Sequence, residues 1–167
     1  MRLDHWVCRM ATSQEERPSR IAWPPLLIAA ALAAAILLGR FYPLPWPGLN
    51  DLPAQIIGYG LGGLGVLLTG WGFITLNRAD TTVQPHKPVK RLVTHGAFGF
   101  RRNPIYMGEI LIFLGLAQVT GNIWMALVAP ALAILLFGLA ILPEERHLEA
   151  RFGEEYLAYK ARTRRWF

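Results

Sequence analysis

The fold is decided by residues 103–145, which read NPIYMGEILIFLGLAQVTGNIWMALVAPALAILLFGLAILPEE. Two nearly uncharged runs, residues 105–121 and 123–142, meet at the polar and flexible sequence Thr-Gly-Asn of residues 120–122. Each run approaches the roughly 20 residues that a helix needs to cross a hydrocarbon core of ~30 Å. Since a short Gly-containing polar segment between such runs favours a tight turn, this stretch predicts two antiparallel transmembrane helices.

Two more apolar runs precede this hairpin, at residues 21–39 and 55–76. A hydrophobic content of 53% and a mean hydropathy of +0.31 are high for a soluble protein of 167 residues. We therefore expect an all-α membrane protein with about four transmembrane helices and a cytoplasmic C-terminal amphipathic helix. Residues 21–167 are expected to form one domain, with its core at about residues 90–165, after a cytoplasmic tail at residues 1–20.

Basic residues are distributed very unevenly around these four runs. Of the 17 lysines and arginines, four precede the first run, six lie between the second and third, and six follow the fourth, which leaves Arg40 alone on the other side. Since cytoplasmic flanks of membrane helices attract basic residues, both termini and residues 77–103 are predicted to be cytoplasmic, in an inner membrane of bacterial type. The charge also favours contact with anionic membrane lipids and not with nucleic acid.

Two patterns have more than one interpretation. The second run contains seven glycines, which favour close helix packing or dimerisation, or else leave room for a bulky cofactor or lipid chain. In the last segment, Leu148, Phe152, Tyr156 and Tyr159 recur at helical spacing and predict one apolar stripe on a helix. His5 and Cys8 have a spacing found in metal sites, but two isolated ligands in a tail predict no metal site.

The start of the third helix combines several groups that bind anions. Arg101 and Arg102 precede Asn103-Pro104, a plausible N-cap and first-turn pair, so two guanidiniums lie beside free backbone N–H groups. This arrangement suits a carboxylate or a phosphate, although the arginines would also serve as headgroup anchors. Tyr106, one turn further on, is placed to stack on a ligand or to hydrogen-bond with it.

Three carboxylates lie near the same end of the hairpin. Glu144 and Glu145 are adjacent and point to different sides of a helix, so separate roles are expected for them. One is expected to accept hydrogen bonds from a ligand, while complementing a helix N-terminus is the alternative. Glu109 lies inside a predicted membrane helix, where an ionisable group suggests a site; contact with a ligand, pairing with Arg102 and snorkelling all remain open.

These residues belong to a longer pattern that resembles the isoprenylcysteine carboxyl methyltransferase and phospholipid methyltransferase superfamily. The matching positions are Gly96, Arg102, Pro104, Tyr106, Gly108, Glu144, Glu145, Phe152, Gly153, Tyr156 and Tyr159. The sequence departs from the family pattern at Ala97, Phe98 and Asn103, where proline, tyrosine and histidine are usual. Asn103 retains a hydrogen-bonding side chain but cannot carry a proton as imidazole does.

The resemblance implies an integral-membrane methyltransferase that uses S-adenosylmethionine and takes a lipophilic or small acceptor from the bilayer. The catalytic residues that we expect are Arg102, Glu109 and Glu145, of which Glu109 is included because it lies inside a predicted membrane helix and not because it matches the family pattern. The cofactor-binding set that the resemblance implies consists of Gly96, Arg102, Asn103, Pro104, Tyr106, Gly108, Glu144, Glu145 and Tyr156. A carboxylate acceptor needs no base, whereas a thiol or an ammonium group would need Glu109, Glu145 or His147 to remove a proton.

Two other functions remain compatible with the sequence. One is an NADPH-dependent membrane reductase related to sterol reductases, in which Arg101, Arg102 and Arg151 would bind the 2′-phosphate. The other is a non-catalytic membrane subunit that binds lipid.

Overall fold

A computed structural model describes residues 23–47, 50–79 and 91–166, so the predicted tail with His5 and Cys8 lies outside the described residues. The described residues are helical and contain no strand. In order, the elements are α1 (Trp23–Phe41), α2 (Leu52–Arg78), α3 (Ala97–Phe100), α4 (Pro104–Thr120), α5 (Ile123–Leu136), a π-helical turn (Phe137–Ile141), α6 (Leu142–Phe152) and α7 (Glu154–Arg162). The all-helical prediction is therefore confirmed for this part of the chain.

Within the described residues, three helical runs are long and apolar enough to cross a membrane. They are α1, α2 and the continuous run from Ile123 to Phe152, which joins α5, the π-helical turn and α6. The remaining apolar helix, α4, has 17 residues and is about 26 Å long at 1.5 Å per residue. These helices confirm the prediction of a membrane protein. The predicted number of four crossings stays a prediction.

The predicted turn between the third and fourth runs is present. Helix α4 ends at Thr120, and Gly121 has a φ of 60°, a left-handed conformation that glycine adopts without strain. The Asn122 side chain then accepts a hydrogen bond from the Trp124 backbone N–H at 3.0 Å and caps α5. Its amide nitrogen donates to the carbonyl of Ala35 at 3.0 Å, so the turn is tied to the end of α1.

The helices pack side by side in the order α2, α4, α5 and α1, in the part of the chain that the structure describes. Hence α1 packs against α5, and α2 packs against α4. A buried cluster that includes Ala35, Phe113, Ala129, Leu132 and Leu136 lies where α1, α4 and α5 meet. Since lipid is as apolar as these side chains, their contribution inside a membrane is close packing more than removal from water.

Glycines set the distance between α2 and α4. A Cβ added at Gly62 would lie 3.1 Å from the Cα of Gly115, and one added at Gly65 would lie 2.6 Å from the carbonyl oxygen of Gly108. By contrast, an added Cβ at Gly60, Gly63 or Gly70 would meet nothing within 4 Å. Helix packing, one of the two interpretations of the glycine-rich run, therefore accounts for the glycines that face α4.

The predicted end of the fourth helix and the single C-terminal helix are corrected by the structure. The continuous helical run that begins with α5 does not stop near residue 142, because the Leu142 N–H bonds to the Phe137 carbonyl and the run continues as α6 with Pro143 in its first turn. The helix stops instead at Gly153, whose φ of 51° breaks the expected apolar stripe. Tyr156 and Tyr159 are buried on a separate helix, α7.

Candidate functional site

The hairpin brings the two predicted halves of the site together at one end of the bundle. The hydroxyl of Tyr106 on α4 donates to the Glu144 carboxylate on α6 at 3.3 Å. Next to this contact, Arg102 Nε donates to Glu145 Oε1, also at 3.3 Å. The expectation that adjacent glutamates have separate roles agrees with these contacts, since Glu144 and Glu145 engage different partners.

Arg102 is held by the protein itself. Its Nη1 atom donates to the carbonyl oxygens of Lys160, at 2.9 Å, and of Thr163, while its Nε atom binds Glu145. The Arg102 backbone N–H also donates to the carbonyl of Arg164 at 3.0 Å. These contacts fix the start of α4 to α7 and to the residues that follow it, and binding of an external anion by this guanidinium stays a prediction.

Arg101 also contacts groups of the protein itself. Its Nη1 atom donates to the carbonyl of Phe100 at 2.8 Å, and its guanidinium lies 4.3 Å from the centroid of the Phe100 ring. These contacts turn the side chain back along the chain, away from the helix that it precedes. A cation–π contact of this kind contributes about 0.5–1 kcal/mol at an exposed site.

Glu145 is a buried carboxylate shared by two arginines. Arg165 binds it through Nε at 2.9 Å and Nη2 at 2.5 Å, in addition to the contact from Arg102. We call Arg102, Glu145 and Arg165 the Glu145 cluster. Hydrogen bonding to Glu145 raises the pKa of Arg165. Because both oxygens of Glu145 accept charge-assisted hydrogen bonds, the contacts favour a positioning role over the expected proton transfer.

Tyr106, Glu109 and Glu144 form a second group, which we call the carboxylate face. Tyr106 and Glu109 are three residues apart and share one side of α4. The Oε2 atom of Glu109 is buried without a hydrogen-bond partner. The possibility that Glu109 pairs with Arg102 is wrong, because Arg102 pairs with Glu145. A buried carboxylate oxygen without a partner is costly, so Glu109 remains a candidate site residue.

Asn103 lies at the start of α4 but does not cap it. The residue precedes Pro104 in the expected position, yet its side chain makes no capping hydrogen bond. The side chain is buried, with 8% of the residue exposed, and its Nδ2 atom has no hydrogen-bond partner. The prediction that Asn103 occupies the N-cap position is thus confirmed, but the predicted capping hydrogen bond is absent. The side-chain amide of Asn103 is therefore a buried donor.

Three further predicted residues have packing reasons for their identity. Gly96 has a φ of 59°, and an added Cβ would lie 2.7 Å from the Thr75 hydroxyl. An added Cβ on Gly108 would lie 2.6 Å from the carbonyl of Gly65. Pro104 is fully buried in the first turn of α4. These contacts support the helix bundle, and a contact of the same residues with a cofactor stays a prediction.

Tyr156 and Tyr159 attach α7 to the rest of the site. The Tyr159 hydroxyl donates to the Phe98 carbonyl at 2.7 Å, and the two tyrosine rings have centroids 6.1 Å apart. Burial raises the pKa of Tyr159 to about 12, so the hydroxyl stays a donor at physiological pH. Tyr156, predicted to bind cofactor, is 1% exposed and belongs to this packed interface.

Sequence reasoning missed the contribution of Arg165 and Thr163 to the site. The charge pattern predicts contact of the basic residues with anionic membrane lipids, and it does not predict a contact of Arg165 with Glu145. Spacing carries no signal for these contacts, because Glu145 and Arg165 are on either side of the break at Gly153. The signal available was chemical: a buried carboxylate needs a cation, and Arg102 alone does not satisfy both oxygens.

Comparison with known proteins identifies a family for most of the chain. Residues 53–155 match the phospholipid methyltransferase family. The chain belongs to that family. It therefore belongs to the wider group of integral-membrane methyltransferases that its motifs resemble. The match includes α2, the α4–α5 hairpin and the pair Glu144 and Glu145. It ends before Tyr156, Tyr159 and Arg165.

One relative is a protein of Haemophilus influenzae described only as uncharacterized. It is 38% identical over 64 residues, which make up 37% of this chain and 98% of the relative. No solved structure matches the chain.

Proposed function

We propose that this member of the phospholipid methyltransferase family transfers a methyl group from S-adenosylmethionine to a lipophilic or small acceptor. The observation that carries the proposal is the contact of Tyr106 with Glu144 across the hairpin, beside the unsatisfied Oε2 of Glu109. Two acidic side chains and a tyrosine hydroxyl at the end of a membrane hairpin form a polar site in otherwise apolar helices. Such groups are costly to retain in a membrane helix unless they serve a ligand.

The residues present fit the proposed cofactor. S-adenosylmethionine supplies an activated methyl group on a positively charged sulfur, and it carries an ammonium group, a carboxylate and a hydrogen-bonding base. Glu109 and Glu144 favour the cationic part by charge, and the free oxygen of Glu109 accepts a hydrogen bond. Asn103 Nδ2 is a buried donor for a carboxylate or base acceptor. Arg102 acts indirectly, by holding Glu145 and the start of α4.

The chain's own contribution to the reaction is alignment and exclusion of water. Fixing two reactants in line accounts for up to about 7–11 kcal/mol of a barrier, so a carboxylate acceptor needs no base. For an amine or a thiol acceptor, Glu109 is the proton acceptor that the contacts favour, because Glu145 is occupied by two guanidiniums. We therefore place Glu109 in the catalytic role and Glu145 in a positioning role.

The acceptor enters from the bilayer in this proposal. The carboxylate face lies where α4 meets the start of α6, and we propose that a lipophilic acceptor reaches it from the bilayer. Prenylcysteine carboxylate, a phospholipid amine and a small thiol remain as acceptor classes. The localisation that we propose is an inner membrane of bacterial type, with both termini on the cytoplasmic side.

The contacts of the arginines do not support the reductase alternative. A 2′-phosphate clamp requires free guanidiniums, but Arg102 is held by Glu145 and two carbonyls, and Arg101 is turned toward Phe100. The third candidate, Arg151, has its guanidinium 5.9 Å from the Phe152 ring. Nothing in these contacts favours a dinucleotide phosphate.

Titration of the full chain in lipid nanodiscs with S-adenosylmethionine, and separately with NADPH, tests the proposal. We expect saturable binding of S-adenosylmethionine by the wild type and a dissociation constant raised about tenfold, or ~1.4 kcal/mol, in Glu109→Gln and in Glu144→Gln. Glu155→Gln is the matched control, since this exposed residue in α7 lies outside the site. Absence of binding to folded wild type, or binding of NADPH alone, contradicts the proposal.

A further inference from the structure

The two arginines of the Glu145 cluster are not equivalent. Arg102 has 10% of its side chain exposed and also binds two backbone carbonyls, so it stays in place if its ion pair is lost. Arg165 has 31% of its side chain exposed and places both Nε and Nη2 on Glu145. The Arg165 contact is therefore the one that can be changed without dismantling the start of α4.

The segment that carries Arg165 lies directly against the site. The carbonyls of Thr163 and Arg164 accept hydrogen bonds from Arg102, and Asn103, with its unpaired amide, is the next residue. On the other side of the cluster, Glu145 follows Glu144 of the carboxylate face. Arg165 thus joins residues 163–166 to both halves of the hairpin through a single carboxylate.

We propose that Arg165 is a positioning residue for the methyltransferase site, acting through Glu145. By holding both oxygens of Glu145, it fixes the position of Glu144 on α6 relative to Asn103 and Tyr106 on α4. It is not a catalytic residue, since its contacts are with Glu145 and, at 5.1 Å, the ring of Phe137. This inference rests on the proposed function, and Arg165 lies beyond the residues that match the family.

Hydrogen exchange without ligand tests the physical contact separately from function. In nanodiscs, we expect Arg165→Ala to increase amide exchange at residues 162–166 about tenfold, because the segment loses its ion pair with α6. Arg164→Ala is the matched control: it removes the same charge from the next residue, whose side chain is exposed and whose carbonyl contact remains. Equal exchange in the two variants contradicts the inference.

Cofactor binding tests the positioning role. We expect Arg165→Ala to raise the dissociation constant of S-adenosylmethionine about tenfold, with Arg165→Lys intermediate, because lysine supplies the charge without the two-point geometry. Arg164→Ala should stay within about twofold. If Arg165 acts through Glu145, the double variant Arg165→Ala/Glu145→Gln binds no more weakly than Glu145→Gln alone. Additive losses in this cycle overturn the inference.

A variant that loosens α7 elsewhere separates positioning from general stability. Tyr159→Phe removes the hydrogen bond to Phe98 and leaves the Glu145 cluster intact. We expect it to lower thermal stability without a comparable change in cofactor affinity, and an equal loss of affinity contradicts the positioning role. If the wild type binds no S-adenosylmethionine, the proposed function fails. If the wild type binds it and Arg165→Ala binds equally well, this inference alone fails.

Discussion

Arg102 contributes more than a positive charge, because its planar fork contacts a carboxylate and two carbonyls at once. Replacement by lysine retains the charge but cannot reproduce these three directions. We expect Arg102→Lys to lower the free energy of unfolding by about 1–3 kcal/mol, the cost of leaving a buried hydrogen-bonding group without its partner. Reversible unfolding in mixed detergent micelles measures this loss.

The exposed pair of Lys160 and Glu149 is the matched comparison for this prediction. Its atoms lie 3.0 Å apart, but 37% and 44% of the two side chains are exposed. Lys160→Ala should therefore cost less than about 1 kcal/mol. If both substitutions cost the same, Arg102 is held no more firmly than a surface residue and the cluster has no special role.

Some residue contacts in the site could be predicted from the sequence alone, and others could not. The proximity of Tyr106 to Glu144 follows from two helices and a turn, so topology was enough to predict it. The partners of Arg102 and the absence of a cap at Asn103 depend on how residues 160–166 pack against the start of α4. No local sequence pattern predicts this packing. The unsatisfied atoms of Asn103 and Glu109 likewise become visible only in three dimensions.

Among the elements, the pair of α2 and α4 depends on glycines that allow backbone contact. An alanine methyl group at Gly108 would lie 2.6 Å from the carbonyl of Gly65 and 2.9 Å from the backbone nitrogen of Thr69, so the helices must separate. We expect Gly108→Ala to lower the free energy of unfolding by about 1–3 kcal/mol, as overpacking does. Thermal unfolding in nanodiscs checks this prediction.

Gly60 provides the control on the open side of α2. An added methyl group there meets nothing within 4 Å, and alanine favours a helix over glycine by about 1 kcal/mol. Gly60→Ala is therefore expected to be neutral or stabilising. A loss of stability as large as that of Gly108→Ala would mean that this open face is covered by something other than lipid.

Hydrophobic periodicity could not predict the π-helical turn or the break between α6 and α7. Apolar content predicted α1, α2, α4 and the start of α5 closely, because turn residues bound these segments. The π-helical turn before Pro143 maintains a continuous helix where proline suggested a new one. Gly153 interrupts an apolar spacing that reads as a single helix, and its positive φ separates α6 from α7.

Across the whole molecule, the helix ends divide into two sets that match the charge pattern. Helix α1 ends near the turn between α4 and α5, as the contacts of Asn122 with Ala35 and of Trp124 with Tyr42 indicate. Helix α2 begins at the same end, since Gly58 lies against Gln118. Arg40 lies at this end. The Glu145 cluster, Arg78, Arg101 and the basic residues of α6 and α7 lie at the opposite end. This division favours four crossings, with α4 spanning beside α5.

Site-directed labelling tests this topology. We introduce single cysteines at Asn50, Thr120, Arg91 and Glu155 in a Cys8→Ser background and treat intact cells with a membrane-impermeant maleimide. Four crossings with cytoplasmic termini predict that the first two positions react in intact cells, and that the last two react only after permeabilisation. If α4 does not cross, the cysteines at residues 91 and 120 lie on the same side of the membrane, so both react under the same condition. That outcome would also separate Arg102 from Glu145 by the membrane, so it is incompatible with the 3.3 Å ion pair on which the site depends.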